Sequence, residues 1–360
     1  MNLESDFYIS NNLQLNRLVD AIKASGLVAL DTEFTRQKTY YPILSTIQVA
    51  IKNGAKKEKF LIDCLTPNLD LAEFFDIISN QKIIKILHSA SQDLQIFYQA
   101  NKKIPKQIFD TQVMANFCGL GFNVGYSNLV EKIFDKTINK DQQRSDWQRR
   151  PLSSKQIDYA LLDVEFLHEI YEKFNAEIAQ KNRQIWIEEE LKNSVQKSLF
   201  KSQESLLKNF HLRGKTTKQI LQIKSLLNWR EELAQKKDVL RQYFLKDEDI
   251  EEIIIHGFAA KNYKKLDAKM IAQIEKILQS EFDHNTFYEH EVRMSAAQEL
   301  LFDEIKILME KIAKKENFMA QFLLTNLEIK KIILDKNNIN QIVDGWRGEL
   351  FGEQLKKIIF

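Results

Sequence analysis

The chain has 360 residues, 44% hydrophobic and 28% charged, which excludes a disordered tail or a fibre and leaves room for two or three globular domains. Its 52 Lys and Arg against 50 Asp and Glu leave a net charge of +2, too small to name a partner by itself. No apolar run approaches the ~18 residues of a membrane span, and Cys64 and Cys118 show no CxxC or CxxH spacing.

The expectation is therefore a cytoplasmic protein with reduced thiols and no zinc site. The opening "MNLESDFYIS" carries no signal-peptide pattern. In chain order, "NRLVDAIKAS" has helical spacing and "LVALDTEF" reads as a strand. "ILSTIQVAIK" (43–52) alternates into Asn53-Gly54, a hairpin turn, and "KFLIDCL" is the returning strand. "LAEFFDIIS" suggests a helix, "KIIKILH" (82–88) a short buried strand, and "SASQDLQIFYQA" (89–100) another helix. Hairpin strands followed by strand-helix alternation predict a mixed α/β sheet covered by helices.

From Pro151 onward the apolar spacing is helical throughout. Ser153 and Gln156 form a capping box for a helix with the core stripe Ile157, Ala160, Leu161, Val164 and Leu167. A shift of 79 places lays residues 233–255 on 312–334, pairing Ala234 with Ala313, Gln242 with Gln321, Tyr243 with Phe322 and Ile253 with Ile332. That register predicts two related helical modules behind the sheet domain.

The chemistry concentrates in four acids and a tyrosine. Asp31 and Glu33 follow the apolar run Val28-Ala29-Leu30 and, at a period of two, project from one face of the strand. Two like charges there raise each other's pKa unless a divalent cation joins them. An edge open to water would serve equally well. Asp93 falls in the first turn of the helix after "KIIKILH", near strand ends where ligands bind, although capping also favours Asp there. Tyr159 and Asp163 lie four apart on one helix face, a pairing that a partly buried helix edge would also show. "RGKTT" (213–217) imitates a phosphate loop but lacks its leading glycine and reads as a helix start.

Together, "DTEF", "HSASQDLQIF", "FDTQVMANF" (109–117), "RSDWQRRPLSSKQIDYALLDV" (144–164) and the "YALLD" within it resemble the ribonuclease D family of 3′-5′ exonucleases, the branch with four acids and a tyrosine. "LLNWREELAQKKD" (226–238) is similar to the HRDC-like nucleic-acid-binding domains that follow that nuclease. The resemblance implies a ribonuclease H-like α/β exonuclease domain over 1–200, then all-α HRDC-like domains over 205–284 and 286–360, the second more diverged.

It further implies two divalent ions, Mg²⁺ or Mn²⁺, held by Asp31, Glu33, Asp93 and Asp163, with Tyr159 orienting the attacking water. Thr32, Phe34 and His88 are candidate contacts to the terminal nucleotide, and Arg144, Arg149, Arg150, Lys102, Lys103 and Lys106 candidate phosphate contacts. The implied substrate is the 3′ end of RNA, above all transfer-RNA precursors, hydrolysed to nucleoside 5′-monophosphates by a monomer that needs no protein partner. A DNA 3′-5′ exonuclease and a non-catalytic nucleic-acid binder are the alternatives.

Overall fold

The computed structural model describes residues 7–54, 56–139, 141–200, 206, 207, 210, 212, 214–280 and 294–360. They fall into two compact units. The first takes the chain through Thr35, then Ile43–Leu199 and Gln298–Phe360; the second takes Arg36–Pro42 and the described part of Phe200–Ala297.

The first unit is built on six strands: β1 (Tyr8–Ile9), β2 (Leu27–Thr35), β3 (Ile43–Asn53), β4 (Lys56–Asp63), β5 (Ile84–Leu87) and β6 (Ile108–Asp110), in the spatial order β1-β4-β3-β2-β5-β6. β2, β3 and β4 pair antiparallel, as their alternation and the Asn-Gly turn predict, and β5 and β6 add in parallel beside β2. Alternation sorts the two faces. Val28, Leu30, Ile47 and Val49 pack under α1 (Asn12–Ser25), α2 (Ala72–Ser79) and α3 (Ser91–Asn101), while Ala29 and Ala50 face the other way.

That second face is covered by α4 (Thr111–Phe117), α5 (Tyr126–Phe134), α6 (Ser154–Asp163) and α7 (Leu167–Lys181), followed by α8 (Gln184–Leu199). The expected capping box is present, Ser153 Oγ accepting from the Gln156 N–H and the Gln156 side chain from the Ser153 N–H. The single helix expected across Val164 and Leu167 is two helices, broken at residues 164–166. The strand expected to end at His88 stops at Leu87, and Ser89 turns the chain with φ of 57°.

The second unit packs α9 (Thr217–Lys237), α10 (Asp247–His256) and α11 (Ala268–Gln279) around Ile223, Leu226, Leu245, Ile250 and Ile274. Thr216 caps α9, in line with a helix start in "RGKTT", whose Arg213 lies outside the described residues. The β2–β3 connection belongs to this unit: Asp238 accepts the Tyr41 N–H at 3.0 Å and the Tyr40 hydroxyl accepts from Gln235 at 3.0 Å.

The second helical module comprises α12 (Ala296–Glu316), α13 (Ala320–Leu323), α14 (Asn326–Leu334), α15 (Ile339–Ile342), α16 (Gly345–Arg347) and α17 (Glu353–Ile359). α9 and α12 each run 21 residues, and α10 opens at Asp247 where α14 opens at Asn326, so both starts recur at the 79-place shift. This module joins the first unit. Trp346, fully buried, stacks on Phe322 and Trp186 and donates from Nε1 to Glu190 at 3.0 Å. Arg347 reaches the same carboxylate at 3.0 Å, and Arg183 pairs with Glu316 at 2.8 Å. Gly119, at φ +73°, lies so close to Asn317 that a Cβ would fall 2.7 Å from its carbonyl oxygen.

Candidate active site

On β2, β5 pairs with Leu27, Val28 and Ala29 only, so beyond Ala29 no strand among the described residues lies beside that edge of β2. Asp31 and Glu33 stand on this overhang. They share the face of Ala29 and lie opposite Gln48 and Thr46 of β3. Thr32 faces the other way, and its hydroxyl donates to Oδ1 of Asp93 in the first turn of α3. Thr32 is thus buried, with its hydroxyl proton committed to an acid.

Asp93 owes its place to a residue that sequence reasoning left without a role. Asp110 caps α4 through the Gln112 N–H and accepts the Ser89 and Ala90 N–H groups, each at 2.9 Å, which fixes the turn into α3. His88 is also occupied: Nδ1 lies 2.9 Å from the Thr111 hydroxyl and Nε2 3.0 Å from the Val124 carbonyl. Its ring bridges two segments rather than presenting a free edge. Phe34 follows a bulge between Glu33 and Phe34 and is half-buried.

α6 crosses the same sheet face, held by Trp147, Leu152, Ala160 and Leu61. Its last turn brings Tyr159 and Asp163 to the overhang, where each acts on the other's titration. Carboxylate oxygens of Asp31, Glu33 and Asp163 lie within 4.8 Å of one another. Asp93 stands outside that trio but acts on it electrostatically. An Asp at a helix C-terminus works against the helix dipole, so the fold itself gains nothing from Asp163 there.

Electrostatics define what the cluster needs. Burial first, then Asp163, Asp93 and Glu33, push Asp31 well above the carboxylate range. Burial with Asp163 and Asp93 lifts Glu33 to about 9. Burial likewise lifts Asp93 and Asp163 to about 7, with Thr32 and Tyr159 hydrogen bonds opposing it. The Tyr159 phenol is raised by burial and by Asp163, so it stays protonated at neutral pH. Four crowded acids with oxygen donors only suit a hard divalent cation and no soft metal.

Of the candidate phosphate contacts, Arg150 is already spent within the protein, pairing with Asp63 and donating to the Ser45 and Trp147 carbonyls. Lys103 pairs with Asp76 on the surface. Among the described residues no helix is long and apolar enough to cross a membrane.

Residues 7–179 match a protein family described as 3′-5′ exonuclease. A ribonuclease D of Jannaschia sp. is 31% identical over 348 residues, covering 92% of this chain and 89% of its own length. One from Acidiphilium cryptum is 30% identical, covering 96% and 90%. The chain belongs to the ribonuclease D family. Its members give the protein its class, a metal-dependent 3′-5′ exoribonuclease among the hydrolases. In fold it is similar to Escherichia coli RNase D, an exoribonuclease involved in structured RNA processing, with a TM-score of 0.79 over 98% of each chain at 24% identity. That agreement covers the mixed sheet with its helices and the helical C-terminal region.

Proposed function

We propose that the protein removes nucleotides one at a time from RNA 3′ ends, transfer-RNA precursors and other structured RNA among them, and releases nucleoside 5′-monophosphates. The observation that carries this reading is the meeting of Asp31, Glu33 and Asp163 within 4.8 Å, with Asp93 and Tyr159 beside them. Such a set of oxygens fits Mg²⁺ or Mn²⁺. Bound there, a pair of these ions would lower the pKa of the attacking water and stabilise the leaving oxygen.

By the family resemblance, Asp31, Glu33 and Asp163, which converge here, would hold the ions together with Asp93. The Tyr159 hydroxyl, protonated and next to Asp163, would orient the water by hydrogen bonding rather than take its proton. The modules over 205–284 and 286–360 would dock the body of the RNA. We place the protein in the cytoplasm as a monomer.

The test is product analysis on a 3′-tailed transfer RNA with Mn²⁺ or Mg²⁺. Nucleoside 5′-monophosphates, released stepwise and abolished by EDTA, are expected. Internal fragments, 3′-phosphate products, or equal degradation of DNA of the same sequence would contradict the assignment.

A further inference from the structure

The break behind Asp163 has no local cause. "YALLDVEFLHEI" contains neither Gly nor Pro, and its apolar spacing continues from α6 into α7. Yet Val164 (φ −108°, ψ −3°) and Phe166 (φ −105°, ψ 0°) leave the helix. In an unbroken helix the Phe166 N–H would donate to the Leu162 carbonyl, four residues back. The Tyr126 hydroxyl takes that place. It accepts from the Phe166 N–H at 3.1 Å and donates to the Leu162 carbonyl at 3.1 Å. A side chain inserted into the helical ladder is a recognised cause of a sharp kink.

Tyr126 is itself held firmly. It opens α5, its ring lies 5.6 Å from that of His88, and His88 is bonded to the Val124 carbonyl two residues upstream. The kink serves both helices at once. α6 lies over Leu61 beside Trp147, while Leu167, Ile170 and Phe174 of α7 are fully buried in the other cluster. Asp163 is the last helical residue before the inserted hydroxyl, so the direction of its carboxylate depends on where the ladder opens.

Resting on the metal-site reading above, we propose that Tyr126 is a positioning residue: its hydroxyl opens the helix immediately after Asp163 and so aims that carboxylate at Asp31 and Glu33. Tyr126→Phe keeps the ring and removes only the inserted group. The full-length variant, compared with wild type by electron paramagnetic resonance of free Mn²⁺ without RNA, should bind Mn²⁺ about 10- to 100-fold more weakly. Its kcat on a 3′-tailed RNA should fall by a similar factor with KM within about threefold. In an Asp163→Asn background the same change should alter Mn²⁺ affinity by less than about twofold, because its effect passes through Asp163.

Wild-type Mn²⁺ affinity in Tyr126→Phe, or an equal loss in both backgrounds, overturns the proposal. Loss of the helical circular-dichroism signal also overturns it, by making the hydroxyl a determinant of the fold. Failure of wild type to bind Mn²⁺ defeats the metal-site reading itself, whatever the variant does.

Discussion

Arg150 grips Asp63 at two points, Nε 2.8 Å from Oδ2 and Nη2 2.6 Å from Oδ1. Tyr8 adds its hydroxyl to the same carboxylate at 2.7 Å. Asp63 of β4 pairs with Thr46 of β3, which in turn pairs with Glu33 of β2, so this clamp ties the segment leading into α6 to the sheet in the row of Glu33.

Replacing Asp63 with Asn should therefore destabilise the protein by about 2–3 kcal/mol, less than for a fully buried pair because Arg150 is a quarter exposed. Urea unfolding at pH 7 measures it. Burial pulls the Asp63 pKa up, but the Arg150 and Tyr8 hydrogen bonds outweigh it and hold the carboxyl below its usual value. A depressed carboxyl stabilises above its unfolded pKa of ~3.9 and loses that stability as pH falls through the folded value. The gap between wild type and variant should accordingly close below about pH 4. A gap that persists unchanged into acid would show the ion pair to be idle.

Asp31→Asn should abolish mononucleotide release in Mn²⁺ or Mg²⁺ while leaving RNA affinity, read by fluorescence anisotropy, within about threefold of wild type. Release at the wild-type rate would remove Asp31 from the reaction.

Added Mn²⁺ should raise the melting temperature more at pH 9 than at pH 6. Without a cation, burial and mutual repulsion lift Glu33 to about 9 and Asp93 and Asp163 to about 7. Raised carboxyls favour the folded state below their unfolded values near ~4, and that contribution is lost as pH climbs through the folded values. The metal-free protein should weaken over this interval, and the cation, displacing protons, should restore what was lost. A pH-independent increment in calorimetric melts would contradict the electrostatic account.

Trp346→Ala should reduce stability by about 3–5 kcal/mol. It empties a fully buried site among Phe117, Phe318 and Phe322 and strips Glu190 of one donor. Chemical denaturation would show it. A change below about 1 kcal/mol would mean that the second helical module stays docked without its central ring.

The sequence disclosed most where a short-range rule decides. Val28-Ala29-Leu30 with Asp31 and Glu33 behind it spelled both a strand and its face, and Asn53-Gly54 spelled the hairpin. Ser153 and Gln156 announced the start of α6. Its end stayed hidden because the agent is Tyr126, about forty residues upstream and silent in any local pattern. Arg150 looked like a free cation because its partner Asp63 lies 87 positions away. β1, at two residues, and β6, at three, are too short to display a period. The hydrogen bonds of Thr32 to Asp93 and of His88 to Thr111 are made only by the fold, so no local pattern announces them.

The paired helical repeats use one position in opposite ways. Phe322 is 5% exposed, sealed beneath Trp346, whereas its counterpart Tyr243 is 46% exposed with Lys265 Nζ 4.0 Å above its ring. The later ring is closed to water and serves packing. A substitution at Phe322 must fit Phe117, Phe318 and Trp346, whereas one at Tyr243 meets solvent and Lys265. Equivalent rings of the two repeats thus meet unlike surroundings, one fixed by its neighbours and one left at the surface.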